Sequence, residues 1–227
     1  LEAQRTSRTS GNLATIGDQF AMKKMDLKKD LKDLYSPSPK DAELVRVPRF
    51  NYIMIDGSGD PNTSQEFQEA AQALYAAAYT LKFMIKKEKK VDYPVMALEG
   101  LWWADDMEVF MTGTRSDWKW TLMILQPKVV TKALFKKAVK AAIQKKGLVA
   151  LERLRLESLD EGLSFQIMHI GTYAEEGPTI QRLHAFARGR FFELKGKHHE
   201  IYVSDQRKVK AEKMKTVVRQ PVQKMVH

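Results

Sequence analysis

The feature that most limits what this chain can fold into is an internal repeat. Ile53-Met54-Ile55-Asp56-Gly57 parallels Ile167-Met168-His169-Ile170-Gly171, each a strand pattern leading through a loop into a helix pattern. Trp102-Trp103-Ala104-Asp105 parallels Tyr202-Val203-Ser204-Asp205, and residues 121–127 (TLMILQP) parallel residues 215–221 (KTVVRQP). The repeated unit is strand–helix–strand–strand. Alone it has too few strands to bury both its helix and its sheet edges. Pairing the units predicts an α+β fold: two pseudo-symmetric strand–helix–strand–strand units forming one curved antiparallel sheet, with helices and a central cleft. Clefts at such junctions are common ligand sites.

Periodicity places the elements. A charged segment ends at Ser36-Pro37-Ser38-Pro39, a turn that cannot sit inside a helix or central strand. Residues 45–55 read as one strand running into a Gly- and Asp-rich loop. Thr63 and Glu66 have capping-box spacing, and Phe67, Ala71, Leu74, Ala78, Leu81 and Ile85 form an apolar helical stripe with Tyr75 and Tyr79 beside it. Strands are expected at 94–104 and 119–125, joined by a loop at 105–117. A lysine-faced helix spans 128–146 and stops at Gly147. Strands follow at 153–159 and 163–170, then a helix from Pro178 with the stripe Ile180, Leu183, Ala187 and Phe191. Short strands at 200–204 and 214–219 complete the second unit.

Residues 1–21 show no periodicity and read as an extraneous leader or disordered tail, set aside from the fold. Residues 22–222 read as a single domain, with its first half at about 40–127, a linking helix at 128–147 and its second half at about 150–222; residues 223–227 are a tail. Hydrophobic residues make up 44%, enough for a real core, and no apolar run reaches the length of a membrane-crossing helix. Cysteine is absent, which removes disulfides and thiolate chemistry; with no secretory leader pattern, a cytoplasmic location is expected. The net charge of +10 is spread along the chain rather than gathered on one reading element, so solvated helix faces are favoured over nucleic-acid binding.

Alternation along the two central strands sorts their residues by face. Leu98, Gly100 and Trp102 share a face with His198, Glu200 and Tyr202; Glu99, Leu101 and Trp103 share the other with His199, Ile201 and Val203. The second set is the greasier, so it is expected to meet the helices, leaving the first to line the cleft. That places one carboxylate, Glu200, beside the pair Trp102 and Tyr202.

The second half carries a family resemblance. Residues 166–180 (QIMHIGTYAEEGPTI), 198–205 (HHEIYVSD) and 212–221 (EKMKTVVRQP) resemble the GyrI-like small-molecule-binding family, and the likeness extends over about residues 25–222. The resemblance implies the same two-unit fold. It implies ligand sensing of the kind found in multidrug-responsive regulators, where a buried Glu on the E-I-Y strand attracts flat, often cationic drugs. Glu200 matches that Glu. It also implies a stand-alone subfamily, some of whose members hydrolyse cyclopropane-bearing DNA-alkylating compounds within an aromatic cage. For this chain hydrolysis is an open expectation. A protein partner such as gyrase is the alternative, because the family includes a gyrase inhibitor.

The expected site therefore has Glu200 as its acid–base residue, with Trp102, Trp103, Trp120, Tyr75, Tyr173, Tyr202 and His169 as ligand-binding candidates. Aromatic rings offer a flat ligand a large stacking area, and a carboxylate selects a cation or N–H donor. The expected ligand is a flat aromatic xenobiotic, cationic or neutral. Adjacent strand histidines point to opposite faces and no third ligand stands at chelating spacing, so no metal or other cofactor is expected. Glu175 and Glu176 precede a helix start, where carboxylates suit the helix dipole.

Overall fold

A computed structural model describes residues 22–104, 117–205 and 207–225; residues 1–21, on which the expectation of an extraneous or disordered segment falls, and most of the expected loop at 105–117 lie outside the described residues. The strands are β1 (Lys23–Lys24), β2 (Glu43–Val47), β3 (Phe50–Ser58), β4 (Val91–Asp92), β5 (Leu98–Trp103), β6 (Lys119–Gln126), β7 (Arg155–Leu159), β8 (Gly162–Ile170), β9 (Phe192–Leu194), β10 (His198–Tyr202) and β11 (Lys215–Lys224). The helices are α1 (Leu27–Asp30), α2 (Lys32–Tyr35), α3 (Gln65–Lys89), α4 (Lys132–Lys146) and α5 (Gly177–Arg188). β11 runs past the expected end of the fold, pairing Gln223 with Glu193.

The main sheet has the order β2-β8-β11-β10-β5-β6-β3-β7, with β9 beside β11. Every pairing in it is antiparallel. The two repeat units occupy its halves, β3-β6-β5 and β8-β11-β10, and β5 pairs with β10 where they join. The strand expected at 45–55 is two strands. Pro48 cannot donate a ladder hydrogen bond, and the chain turns there. β2 then pairs with β8 of the other unit, while β7 pairs with β3. In a flat sheet β2 and β3 would lie roughly 29 Å apart at 4.8 Å per strand. Pro48 and Arg49 span at most about 11 Å, so the sheet must bend to bring that corner together.

Helices α3 and α5 lie on one face of the sheet. The α3 cap is Ser64, one residue beyond the expected Thr63, its Oγ accepting from Phe67 N at 3.2 Å. Leu74, Ala78, Leu81 and Ile85 are buried as expected, joined by Ala70, Ala73 and Ala77, whose small size lets the helix lie close. α3 covers β3 and β6; α5, through Leu183 and Ala187, covers β8 and β11. Phe191, expected in the α5 stripe, lies past the helix in a left-handed turn (φ 63°) and is exposed. Among the described residues no helix is long and apolar enough to cross a membrane.

The helix side of the sheet reverses one expectation. α3 and α5 sit on the face of Trp102 and Glu200, not on that of Glu99 and His199. Apolar packing under the helices comes from the outer strands (Ile53, Ile55, Trp120, Leu122, Phe165, Ile167, Val218), so the makeup of the two central strands did not report it. The other face is closed by α1, α2 and the β7–β8 corner, and it buries charge. His199 Nε2 meets Glu99 Oε2 at 3.0 Å, and its Nδ1 meets Glu161 Oε1 at 2.9 Å. Arg219 Nη1 donates to Glu161 at 3.1 Å and Nη2 donates to Leu34 O at 2.6 Å, while Tyr35 Oη donates to Glu99 at 2.5 Å. Two cations thus balance two carboxylates, a requirement for buried charge.

Burial alone would lower the His199 pKa, but Glu161 and Glu99 outweigh it and raise it from 6.5 to about 9. Burial would likewise raise Glu161, yet His199 and Arg219 pull it down from 4.5 to about 2. The His199 contribution to stability is complete below its unfolded pKa and is lost as pH rises through about 9; that of Glu161 is complete above 4.5 and lost as pH falls through about 2. The melting temperature is therefore expected to be flat between these windows and to decline on both sides. His199→Gln should cost about 3 kcal/mol in urea unfolding, as for breaking a buried charge pair, and should flatten the alkaline decline.

Candidate functional site

Because each helix covers the outer strands of its own unit, the central β5–β10 pair is left uncovered. Above it lies a cleft of about 2620 Å³ walled by α3 on one side and α5 on the other. Register sets its floor: Glu200 pairs with Gly100, His198 with Trp102 and Tyr202 with Leu98. Since Trp102 and Tyr202 are repeat equivalents, the pseudo-two-fold axis passes through the Glu200–Gly100 pair. One unit thus supplies a carboxylate at the axis where the other supplies no side chain. Trp102 Nε1 donates to Tyr202 Oη at 3.2 Å, and Tyr202 Oη donates to Glu200 Oε2 at 2.8 Å. A Cβ on Gly100 would stand 2.9 Å from Trp102 Nε1 and 3.0 Å from Tyr202 Oη, so this relay needs the glycine.

Glu200 has a second carboxyl beside it. Glu176, from the turn that opens α5, is buried beside Glu200 and Thr216, and its Oε1 has no hydrogen-bond partner. Burial and the repulsion of Glu200 raise Glu176 to about 10. Burial would raise Glu200 as well, but His198, Tyr202 and the proton on Glu176 outweigh it and keep Glu200 ionised. Two adjoining carboxyls in a poorly solvated site favour one proton and one negative charge between them. His198 Nε2 lies 3.4 Å from Glu200 Oε1. His184, at 6.5 Å between ring centroids, is lowered to about 4, first by burial and then by His198, and so is neutral at ordinary pH.

The opposite wall is aromatic. Trp102 stacks on Phe67 at 6.0 Å, and Tyr173 meets Tyr202 edge-on at 5.4 Å. Tyr75 has its ring in the cleft, where burial raises its hydroxyl above the ordinary tyrosine value. Burial pushes the Tyr173 hydroxyl up to about 12, leaving it a donor at any working pH.

Of the residues singled out from the sequence, Glu200, Trp102, Tyr202, Tyr173 and Tyr75 meet in the cleft. Three do not line it. Trp103 points through the opposite face, with Lys197 Nζ 3.0 Å from its ring centroid. Trp120 is fully buried beneath α3, its ring over Gly57 and edge-on to Phe67. His169 is buried under α5, bonded to Thr179 Oγ1 and Thr172 O at 3.0 Å each. The sequence reading did not single out Glu176 for the site. Glu175 takes the helix-start role, accepting from Thr172 N and Oγ1 at 2.9 and 2.8 Å, while its neighbour turns into the cleft. Nothing in the spacing separates the two. Among the described residues no cluster of His, Asp and Glu is arranged to hold a metal ion.

Residues 40–223 match the GyrI-like small molecule binding domain. An uncharacterized conserved protein from Listeria innocua is 39% identical with a TM-score of 0.81, and the match covers 88% of this chain and all of that one. A hydrolase from Listeria innocua is 38% identical with a TM-score of 0.76 and the same coverage. The C-terminal domain of EcmrR, at 9% identity and a TM-score of 0.53 over 82% of this chain and 98% of that one, shares the fold alone. No curated protein sequence matches.

Gly100→Ala is expected to separate the Trp102–Tyr202 pair while the sheet stays intact. In an NMR spectrum the Trp102 indole N–H resonance should move, and circular dichroism should not change.

Proposed function

Since this chain belongs to the GyrI-like small-molecule-binding family, we propose that its cleft takes a flat aromatic compound, cationic or N–H-donating, and hydrolyses members of that class that carry a strained electrophilic ring. The observation that carries this reading is the Glu200–Glu176 pair: two neighbouring carboxyls at the foot of an aromatic wall, Glu176 pushed up by burial and by Glu200, and Glu200 held down by His198 and Tyr202. A ring system stacked on Trp102, Tyr173 and Tyr75 sits over a single negative charge, which selects a positive or N–H edge.

The same pair supplies a base and an acid. Glu200 removes a proton from water as its oxygen bonds to a cyclopropane carbon. The ring C–C bond breaks, and its electrons pass to the conjugated carbonyl oxygen, which takes the proton of Glu176. Glu200 then returns its proton to the neighbouring Glu176. Water is consumed and the pair is restored. The hydrolase description of a Listeria innocua relative at 38% identity supports hydrolysis in this cleft, and the substrate class is what the resemblance of residues 166–180, 198–205 and 212–221 implies. An open cleft between two helices, rather than a flat or filled surface, speaks against the protein-partner alternative.

In a thermal-shift titration with flat aromatic cations, Glu200→Gln should weaken binding about tenfold, the loss of one charge-assisted contact, and leave the ligand-free melting temperature within a few degrees. Unchanged affinity would sink the reading. Glu176→Gln keeps a hydrogen-bond donor but has no proton to give. It should bind a cyclopropane-bearing substrate as wild type does and lose turnover at least a hundredfold. Wild-type turnover should decline as pH rises through about 10, where Glu176 ionises.

A further inference from the structure

The positive charge of the chain is gathered in one region of the fold. Residues 22–32, 82–92 and 128–146 hold 17 lysines against 4 carboxylates, an excess of 13, whereas the whole chain carries +10. The remaining residues together are therefore net acidic. These segments are far apart in the sequence, and the fold packs them together. β1 pairs with β4 directly after α3, and Lys23 N donates to Lys90 O at 2.8 Å. α4 lies along α3 with Lys137 bridged to Glu88, and Leu27, Ile85 and Phe135 share one buried cluster. All of these lysines are exposed except Lys82 and Lys86, which pair with Asp92.

Helix α4 holds its charge against its own electrostatics. Lys132 stands in the first turn, where the helix dipole disfavours a cation, and no acid stands there to offset it. Lys132, Lys136 and Lys140 are four apart, so they fall on one line and repel. Among the described residues the ion pair on α4 is Lys137–Glu88, and those three lysines have none. The helix does not need them to fold, because Phe135, Ala138 and Ala142 bury its other side. Its exposed positions hold only lysines, Gln144 and Ala133, and none of the three segments contains an arginine. A protein interface has an apolar centre, and a helix lying on a membrane inserts an apolar face; the apolar face of α4 is already used against α3. Point charges in a row, without forked donors or stacking rings, suit backbone phosphates rather than base edges.

We propose that the lysine face of α4, with the α3–β1 rim beside it, docks the phosphate backbone of duplex DNA, by charge and not by sequence. Duplex DNA presents one negative charge per about 1.7 Å of its axis. The Lys132–Lys136–Lys140 line rises about 6 Å per step, so a rigid polyanion meets all three lysines while a small anion reaches one. Release of counterions from the phosphates drives the contact. These three lysines do not line the Glu200 cleft, and the proposal does not rest on the small-molecule reading.

The test is fluorescence anisotropy with two labelled DNA duplexes of unrelated sequence over a range of salt concentrations. Wild type is compared with Lys132→Gln/Lys136→Gln/Lys140→Gln and with a charge-matched control on other exposed lysines, Lys210→Gln/Lys213→Gln/Lys224→Gln. Melting temperatures confirm that all three proteins fold. Wild type is expected to bind both duplexes equally, with log affinity falling steeply against log salt. The α4 variant should bind about tenfold or more weakly and lose about 3 from that slope, while the control keeps the wild-type slope. No binding of either duplex by wild type at low salt would overturn the proposal. Equal losses in the two variants would also overturn it, because net charge rather than this face would then be responsible. Phosphatidylserine vesicles that hold wild type and release the α4 variant, with neither duplex bound, would assign the face to a membrane surface and overturn it as well.

Discussion

The antiparallel pairing of β5 with β10 is the contact on which the rest of the molecule depends. It joins the two repeat units into one sheet and sets Glu200 opposite Gly100 on the pseudo-two-fold axis. It also leaves the middle of the sheet bare, because each helix covers the outer strands of its own unit. The cleft is therefore a consequence of the duplication rather than an addition to it. A symmetric pair of carboxylates at the axis would repel. A glycine in one unit removes that conflict and gives the Trp102–Tyr202 pair its space.

Strand β10 divides two kinds of electrostatics between its faces. His198, Glu200 and Tyr202 point into the cleft, while His199 and Ile201 point into the closed side. On the closed side His199 and Arg219 answer Glu99 and Glu161, so the charge is balanced and dry. On the cleft side Glu200 and Glu176 stand together with no cation of that kind between them, so burial and mutual repulsion push Glu176 up while Glu200 is held down. A balanced network holds strands in register. An unbalanced one, beside aromatic rings, is suited to a ligand.

Much of this was legible in the sequence, for identifiable reasons. Alternation placed Glu200, Trp102 and Tyr202 on one face, and the repeat placed that face at the junction of the halves. The exchange of β2 and β7 between units left only Pro48 as a local mark, because partner choice between distant strands has no short-range signal. The helix side was misread because the two central strands are the ones the helices do not cover. Trp103 and Trp120 share their residue type with Trp102 and nothing more. One lies through the sheet and the other beneath α3, and composition reports neither. Glu176 escaped because it adjoins Glu175, which fills the expected helix-start role.

The central claim is that two neighbouring carboxyls in the cleft share one proton. Carbon-13 NMR of the glutamate side-chain carboxyls across pH, assigned with Glu176→Gln and Glu200→Gln, measures this directly. The account predicts one cleft carboxyl that stays protonated through neutrality and titrates near 10, beside one that stays ionised. Two cleft carboxyls that both titrate near the ordinary glutamate value of 4.5 would contradict it, and with it the acid–base role of the pair.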